Sequence, residues 1–417
     1  MIIDTLSKAF LRSVGEHADK PALLVKRDKQ FRPISYRELG QRVYQLARGL
    51  HTLGVASGDR VAILSENCPE WAITDWASLC LGAITVPIYP TLTPAQVQEI
   101  LLDSEPKVLV VSDKRQLKKA QEAVADTSLQ LTLITLQPSE NGETLTLEQV
   151  MQTPSELSEE AFRQVARRVQ PDDLATLIYT SGTTGEPKGA MLTHGNFISN
   201  IQASLEVLEI QKSDLFLSFL PLSHVFERMA GHFLPIYEGL TIAYAESLFT
   251  LAADMVEAKP TVMLGVPRFY ASVQDRILSS IRDQAPLKQK LFYRALEVGK
   301  IYSRCWREGR ACPRWVRLQH QVLDKLVGAK IRKRVGGRLR FSASGGAALP
   351  KETAEFFHAF GILILEGYGL TETSPVLTVN PLHAPRFGSV GKPIPGVEIK
   401  IAEDGEILAR GPNIMKG

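Results

Sequence analysis

The sequence predicts an α/β protein built on parallel β-sheets with crossover helices. Two stretches of alternating strand and helix signals carry that prediction, and a tail of different texture completes it. The first stretch begins near residue 60 and the second near 261. Short apolar strands separated by amphipathic helices need crossover connections, which favour parallel pairing.

In the first stretch, "RVAIL" (60–64) reads as a buried strand and "EWAITDWASLCLG" (70–82) as a helix ended by Gly82. "AITVPIY" (83–89) is the next strand. "TPAQVQEILLDSE" (93–105) begins with Thr93 as a cap and Pro94 at the first helical position. "KVLVVS" (107–112) follows as a strand, and residues 137–172, polar and poorly periodic, read as surface connections. In the second stretch, "TVMLGV" (261–266) is a strand and Pro267 opens a helix. "RLRFSA" (338–343), a glycine loop, the helix "KETAEFFHAF" stopped by Gly361, and "ILILE" (362–366) form a βαβ unit. It sets two glycine-bearing loops, 344–350 and 367–373, at the carboxyl ends of strands, where open α/β sheets bind ligands. In the tail, Val397, Ile399 and Ile401 alternate with polar residues and Asp404-Gly405 is a hairpin signal. A small β region starting near 376 is expected.

The bulk properties narrow the class. At 417 residues the chain is long enough for several subdomains. A hydrophobic share of 44% with 22% charged residues is that of a globular protein, and a net charge of +3 does not point to nucleic acid. Cys68, Cys80, Cys305 and Cys312 form no CxxC pair, which suits reduced thiols in a reducing, cytoplasmic setting. Asp4, Lys8 and Arg12 do not suit a signal peptide, and "WASLCLGAITVPIY" is short of a membrane span.

The densest chemical signal is "TSGTTGEPKG", Thr180 to Gly189, with three glycines, four hydroxyl side chains and one lysine. Glycines let backbone N–H groups turn toward an anion, hydroxyls add donors, and Lys188 supplies a mobile charge for phosphate oxygens. The spacing is not GxxxxGK[ST]. The plain alternative is a surface hairpin. Likewise His224 alone reads as a loop histidine, Tyr368 as a core aromatic and Glu372 as an acid at a helix start.

In context, "YTSGTTGEPKGAMLTH" resembles the phosphate-binding motif of the adenylate-forming superfamily, which includes acyl-CoA synthetases and luciferases. "PLSHVFER" (221–228) is similar to its acyl-site segment, "SGGAALP" (344–350) to its adenine-side loop, and "EGYGLTET" (366–373) to its adenine and magnesium segment. "GEILARGPNIMKG" resembles the segment before the family's hinge. These strings occur in the family's order. "LPLSHVFER", "VPRFY" and "KIRKRVGGRLRFSASGGAALP" are most similar to long-chain fatty acyl-CoA synthetases.

The resemblance implies the family's large N-terminal domain: stacked mixed and parallel sheets flanked by helices, with a small β-barrel-like subdomain. The expected divisions are about 1–190, about 191–375 with a helical insertion at 276–340, and about 376–417. The family's ribose-binding aspartate, hinge and mobile C-terminal domain have no counterpart among these residues, so the chain alone is expected to retain little thioesterification.

It further implies two half-reactions using ATP, Mg²⁺, a long-chain fatty acid and coenzyme A. In this reading Thr180, Ser181, Gly182, Thr183, Thr184, Gly185 and Lys188 hold phosphates. Glu372, with Thr183, holds magnesium. Thr371 contacts the α-phosphate, and Tyr368 stacks on adenine with Gly367 and Gly369 leaving room for the ring. Gly345, Gly346, Ala347 and Glu366 line the nucleotide site, and His224 faces the acyl carboxylate or α-phosphate. Lys188, His224, Thr371 and Glu372 form the expected catalytic set. Phe216, Phe219, Phe226 and Phe233 lie near the acyl motif, with core packing as the alternative. An acyl carrier protein as acceptor shares the adenylation half. A non-catalytic nucleotide- or fatty-acid-binding module is the alternative of another class, opposed by intact Lys188 and Glu372.

Between Arg276 and Arg340 stand 18 lysines and arginines against four acids, with Tyr293, Tyr302, Trp306 and Trp315 interleaved. Peripheral contact with an anionic membrane is one reading of this insertion, and a solvated helical face is the other. No nucleic-acid module accompanies the charge.

Overall fold

The apolar strings become the inner strands of two sheets in the computed structural model, which describes residues 2–138, 144–180 and 187–417. The smaller sheet has seven strands in the order Leu145–Thr146, Thr132–Thr135, Val108–Val111, Arg60–Leu64, Ile84–Ile88, Leu174–Thr180 and Lys188–Thr193. Its neighbours are parallel except the last pair, an antiparallel hairpin. Strands buried on both faces show no polar alternation, which is why "VLVV" and "RVAIL" are continuously apolar. The intervening helices start where expected. Thr93 and Gln96 form a capping box ahead of Pro94–Ser104, and Gly82, at φ +74°, turns the chain after Pro69–Cys80.

The larger sheet has nine strands. Its centre runs Ile364–Gly369, Phe341–Ser344, Val262–Gly265, Leu215–Ser218, Thr241–Tyr244 and Pro21–Arg27, all parallel to their neighbours. Antiparallel strands close both edges: Gln30–Ser35 at one, Val376–Val379 and then Lys392–Pro393 at the other. The strands ahead of loops 344–350 and 367–373 are therefore adjacent, as the βαβ reading expects.

Three expectations need correction. The division near residue 190 does not separate the sheets, because Pro21–Ser35 pairs with Thr241–Tyr244 in the larger one. Apolar alternation specifies a strand but not its partner. Residues 137–172 are not only connections: they hold a short strand and the helices Leu147–Gln152 and Glu159–Arg168. The second helix has acids in its first turn and arginines in its last, matching the helix dipole. The β region expected from 376 begins as an extension of the large sheet. Only the hairpin Glu398–Ile401/Ile407–Arg410 is separate.

The insertion is helical: Pro267–Arg282, Pro286–Arg307, Arg314–Leu323 and Ala329–Arg334. It packs on the helix Lys351–Ala359 through Phe292, Phe356 and Phe357, with Phe360 just beyond that helix. A Cβ on Gly299 would come within 2.2 Å of the Ala359 carbonyl oxygen, so glycine sets that close approach. Among the described residues no helix is long and apolar enough to cross a membrane. All four cysteines are free thiols.

Candidate active site

A cavity of about 200 Å³ opens beside the carboxyl ends of the large sheet's central strands. Phe216, Val262 and Phe341 line it from three adjacent strands in one register row. Leu264 and Ala343, two residues further along and paired with each other, continue the same face. Ser204 and Leu208 line it from the helix His194–Leu208, and Met229, Ala230 and Leu234 from the segment after "PLSH". The interior is thus mainly aliphatic and aromatic. Polar groups gather around His224, Gly345, Gly346, Tyr368 and Thr371.

His224 sits on a turn whose N–H donates to the Pro221 carbonyl at 2.9 Å. The Phe226 N–H donates to His224 Nδ1 at 3.1 Å. Nδ1 is therefore an acceptor, and a neutral ring carries its proton on Nε2. Burial lowers the pKa of His224, which favours that neutral form. The next turns form a π-helix, Glu227–Phe233, in which the Leu234 N–H reaches back five residues to Met229.

The two glycine loops differ in what fixes them. Gly346 has φ +82°, in the left-handed region, and a Cβ on Gly345 would stand 3.3 Å from the Phe226 ring. Glu366 accepts a hydrogen bond from the Leu349 N–H at 2.8 Å, tying loop 344–350 to the next strand. Burial raises its carboxyl pKa while that bond lowers it, and burial prevails. Ala347 is exposed and outside the cavity lining. Gly367 and Gly369 have a backbone reason to be glycine. A Cβ on Gly369 would lie 1.7 Å from the Pro375 carbonyl oxygen, and one on Gly367 would lie 2.9 Å from that of Thr378. The close antiparallel strand is by itself enough to require glycine at both positions.

Glu372 stands in the short 3₁₀ turn Thr371–Thr373. Among the described residues its carboxylate has no hydrogen-bond or ion-pair partner. Met415 donates its N–H to the Glu372 carbonyl at 2.8 Å, and residues 416–417 pair with Met191 of the strand Lys188–Thr193. That strand lies against the Thr371–Thr373 turn. The structure thus brings Glu372 toward the hairpin in which exposed Lys188 is in register with Thr180. Ser181, Gly182, Thr183, Thr184 and Gly185 lie outside the described residues. Among those described, no group of three or more His, Cys, Asp or Glu is placed to hold a metal. A single carboxylate suits Mg²⁺, which usually completes its shell with waters and substrate phosphates.

Several residues with no role in the sequence reading shape the site. Arg228 is fully buried and forms two hydrogen bonds to the Asp75 carboxylate, one at 3.1 Å, and one to Thr176 at 2.5 Å. Burial alone would raise the Asp75 pKa, but Arg228 and His232 outweigh it and hold the carboxyl ionised. Through Asp75 this arginine joins the cavity's π-helix to the helix Pro69–Cys80, and through Thr176 to the small sheet. Asn67 grips the approach to His224, donating to Ser218 and the Leu220 carbonyl and accepting from the Leu222 N–H at 2.9 Å. Asn413, buried, donates to the Thr373 carbonyl at 2.7 Å. Of the four phenylalanines, Phe216 and Phe226 line the cavity. Phe233 packs against Trp76 and Phe197, and Phe219 against Phe269.

Two mixed sheets, flanking helices and a cavity capped by glycine loops are the fold of the adenylate-forming enzymes. A benzoate CoA ligase from Burkholderia xenovorans LB400 superposes with a TM-score of 0.74 at 23% identity, over 99% of this chain and 73% of that one. The chain belongs to the AMP-binding enzyme family, whose sequence model matches residues 10–417. It is 34% identical over 424 residues to the long-chain-fatty-acid--CoA ligase FadD15 of Mycobacterium bovis, covering 97% of this chain and 69% of that protein. It is 31% identical to the peroxisomal long chain acyl-CoA synthetase 7 of Arabidopsis thaliana, covering 100% of this chain and 61% of that one.

Proposed function

We propose that this chain carries the adenylation site of an AMP-forming long-chain fatty acid:CoA ligase. A carboxylate oxygen of the fatty acid attacks the α-phosphorus of ATP and pyrophosphate leaves. The thiol sulfur of coenzyme A then attacks the acyl carbon of the adenylate, and AMP leaves. The supporting observation is the lining of the cavity: a mainly apolar interior walled by three strands and two helical segments, with His224 and the glycine loops as its polar part. An alkyl chain gains from such walls, and its charged head is left among donors.

No general base is required, since a fatty acid is already ionised at neutral pH. Two anions must meet, so catalysis rests on orientation and on screening of charge. His224 donates from Nε2 to the carboxylate or α-phosphate. Thr180 and Lys188, with residues 181–185, hold the β- and γ-phosphates. Glu372 is the carboxylate that would hold magnesium, which lowers the negative charge on the phosphates when bound. Thr371 contacts the α-phosphate and Tyr368 faces adenine.

ATP–pyrophosphate exchange across a series of acids tests this reading. Long alkanoates should support exchange and benzoate should not. Exchange with benzoate but not palmitate would overturn it.

A further inference from the structure

The helix Arg314–Leu323 has two unlike faces. Val316 and Leu323 are buried against the insertion's core. Trp315, Leu318 and Val322 are 53%, 65% and 59% exposed, and Leu326 in the following turn is 45% exposed. At 100° per residue these positions, spaced three, four and four apart, fall on one stripe. Large apolar side chains are usually exposed singly, not in a row.

The surroundings of the stripe are cationic. Arg314, Arg317, Lys325 and Lys330 are exposed, and among the described residues none forms an ion pair. The one acid in this stretch, Asp324, is held by both arms of Arg332 at 2.5 and 2.9 Å, so it does not offset them. On the neighbouring helix, Arg294 reaches Gln319 at 2.8 Å but is paired with Glu297 at 2.8 Å, so it adds no net charge, and Tyr293 is also exposed there.

We propose that this ridge docks the protein on an anionic lipid bilayer, with Trp315, Leu318 and Val322 entering the interface and the flanking arginines and lysines at the headgroups. The occupant follows from the chemistry. A stripe one side chain wide is too narrow for the apolar core of a stable protein interface. A second copy would bring like charge against like. A helix with a Trp/Leu/Val row and a cationic margin is the arrangement that lies in a headgroup boundary. The inference does not depend on the reaction proposed above, since it uses none of the cavity residues.

Tryptophan emission provides a direct test, because Trp71 and Trp76 are buried and only Trp306 and Trp315 are exposed. In a Trp306→Phe background, vesicles containing phosphatidylglycerol should shift Trp315 emission to the blue, and added salt should reverse it. Leu318→Glu with Val322→Glu should weaken vesicle partition about tenfold or more. Arg314→Gln, Arg317→Gln and Lys325→Gln together should weaken it about a hundredfold, at about fivefold per charge. These side chains are exposed, so circular dichroism should be unchanged. Equal binding to phosphatidylcholine vesicles, or full binding by the glutamate variant, would overturn the proposal. So would tight binding to duplex DNA that the glutamate pair leaves untouched, coupled with no emission shift on vesicles.

Discussion

The segments 221–233 and 366–373 face the same cavity and are built on opposite plans. The first is buried almost throughout and held by side chains from elsewhere: Asn67 before it, Asp75 and Thr176 on Arg228 within it. The second is a strand end and a short turn whose backbone is fixed by a close antiparallel neighbour, leaving Glu372 without a partner among the described residues. One wall owes its shape to a desolvated ion pair, and the other keeps a charge available. Mutations in the first should therefore be read in stability, and mutations in the second in chemistry.

The sharpest contrast comes from Arg228. Arg228→Ala leaves Asp75 ionised with no guanidinium in a site closed to water. Breaking a buried pair in this way costs about 3–5 kcal/mol, visible as a lower urea midpoint. Arg228→Met with Asp75→Asn should recover much of the loss, because removing both charges also removes the cost of burying them. A single variant as stable as the parent would show that the first wall is not held by this pair. Glu372→Gln should do the reverse. Exchange activity falls about a hundredfold, in the range for losing one electrostatic group at a reacting centre, while the melting temperature stays put. A large loss of stability there would erase the distinction.

How far this contrast was legible differs by wall. Loop positions and strand order at 338–369 follow from apolar runs punctuated by glycine, and the strands are adjacent as expected. The glycines of "EGYGLTET" were legible as a constraint, but the close approach of Pro375 and Thr378 was not, since it comes through pairing that no local pattern encodes. Asn67 and Asp75 carried no signal at all: their partners lie 151 to 155 residues away. Arg228 was visible only as a letter in "PLSHVFER". The alternation read from the sequence starts near residue 60 and passes over the Pro21–Ser35 hairpin, whose sheet is chosen by long-range packing. Gly369→Ala tests the backbone account. The added methyl meets the Pro375 carbonyl, so stability should drop by about 1–3 kcal/mol by urea unfolding, with nucleotide affinity measured alongside. Normal stability with lost affinity would favour room for a ring instead.

Glu227 gives the finest discrimination. It lies in the buried wall beside Arg228, with the Ser218 hydroxyl as a weak neighbour that does not offset its burial. Burial pushes its carboxyl up to about 8 from 4.5. Between those values the folded protein keeps a proton that the unfolded chain has released. Raising the pH then favours unfolding, by about 1.4 kcal/mol per pH unit. This contribution is fully present below 4.5 and is lost as pH rises through about 8. His224 and His232 work the other way: burial lowers their pKa values, so their contribution fades as pH falls below 6.5. The parent's own stability curve mixes these slopes, and comparison with Glu227→Gln separates them. The amide keeps size and polarity but cannot ionise, so its advantage over the parent should be least near pH 5 and grow toward pH 8. Parallel unfolding curves for the two proteins across that interval would mean that Glu227 is solvated or paired. The buried wall would then hold an ordinary surface acid, and the contrast with Glu372 would rest on Arg228 alone.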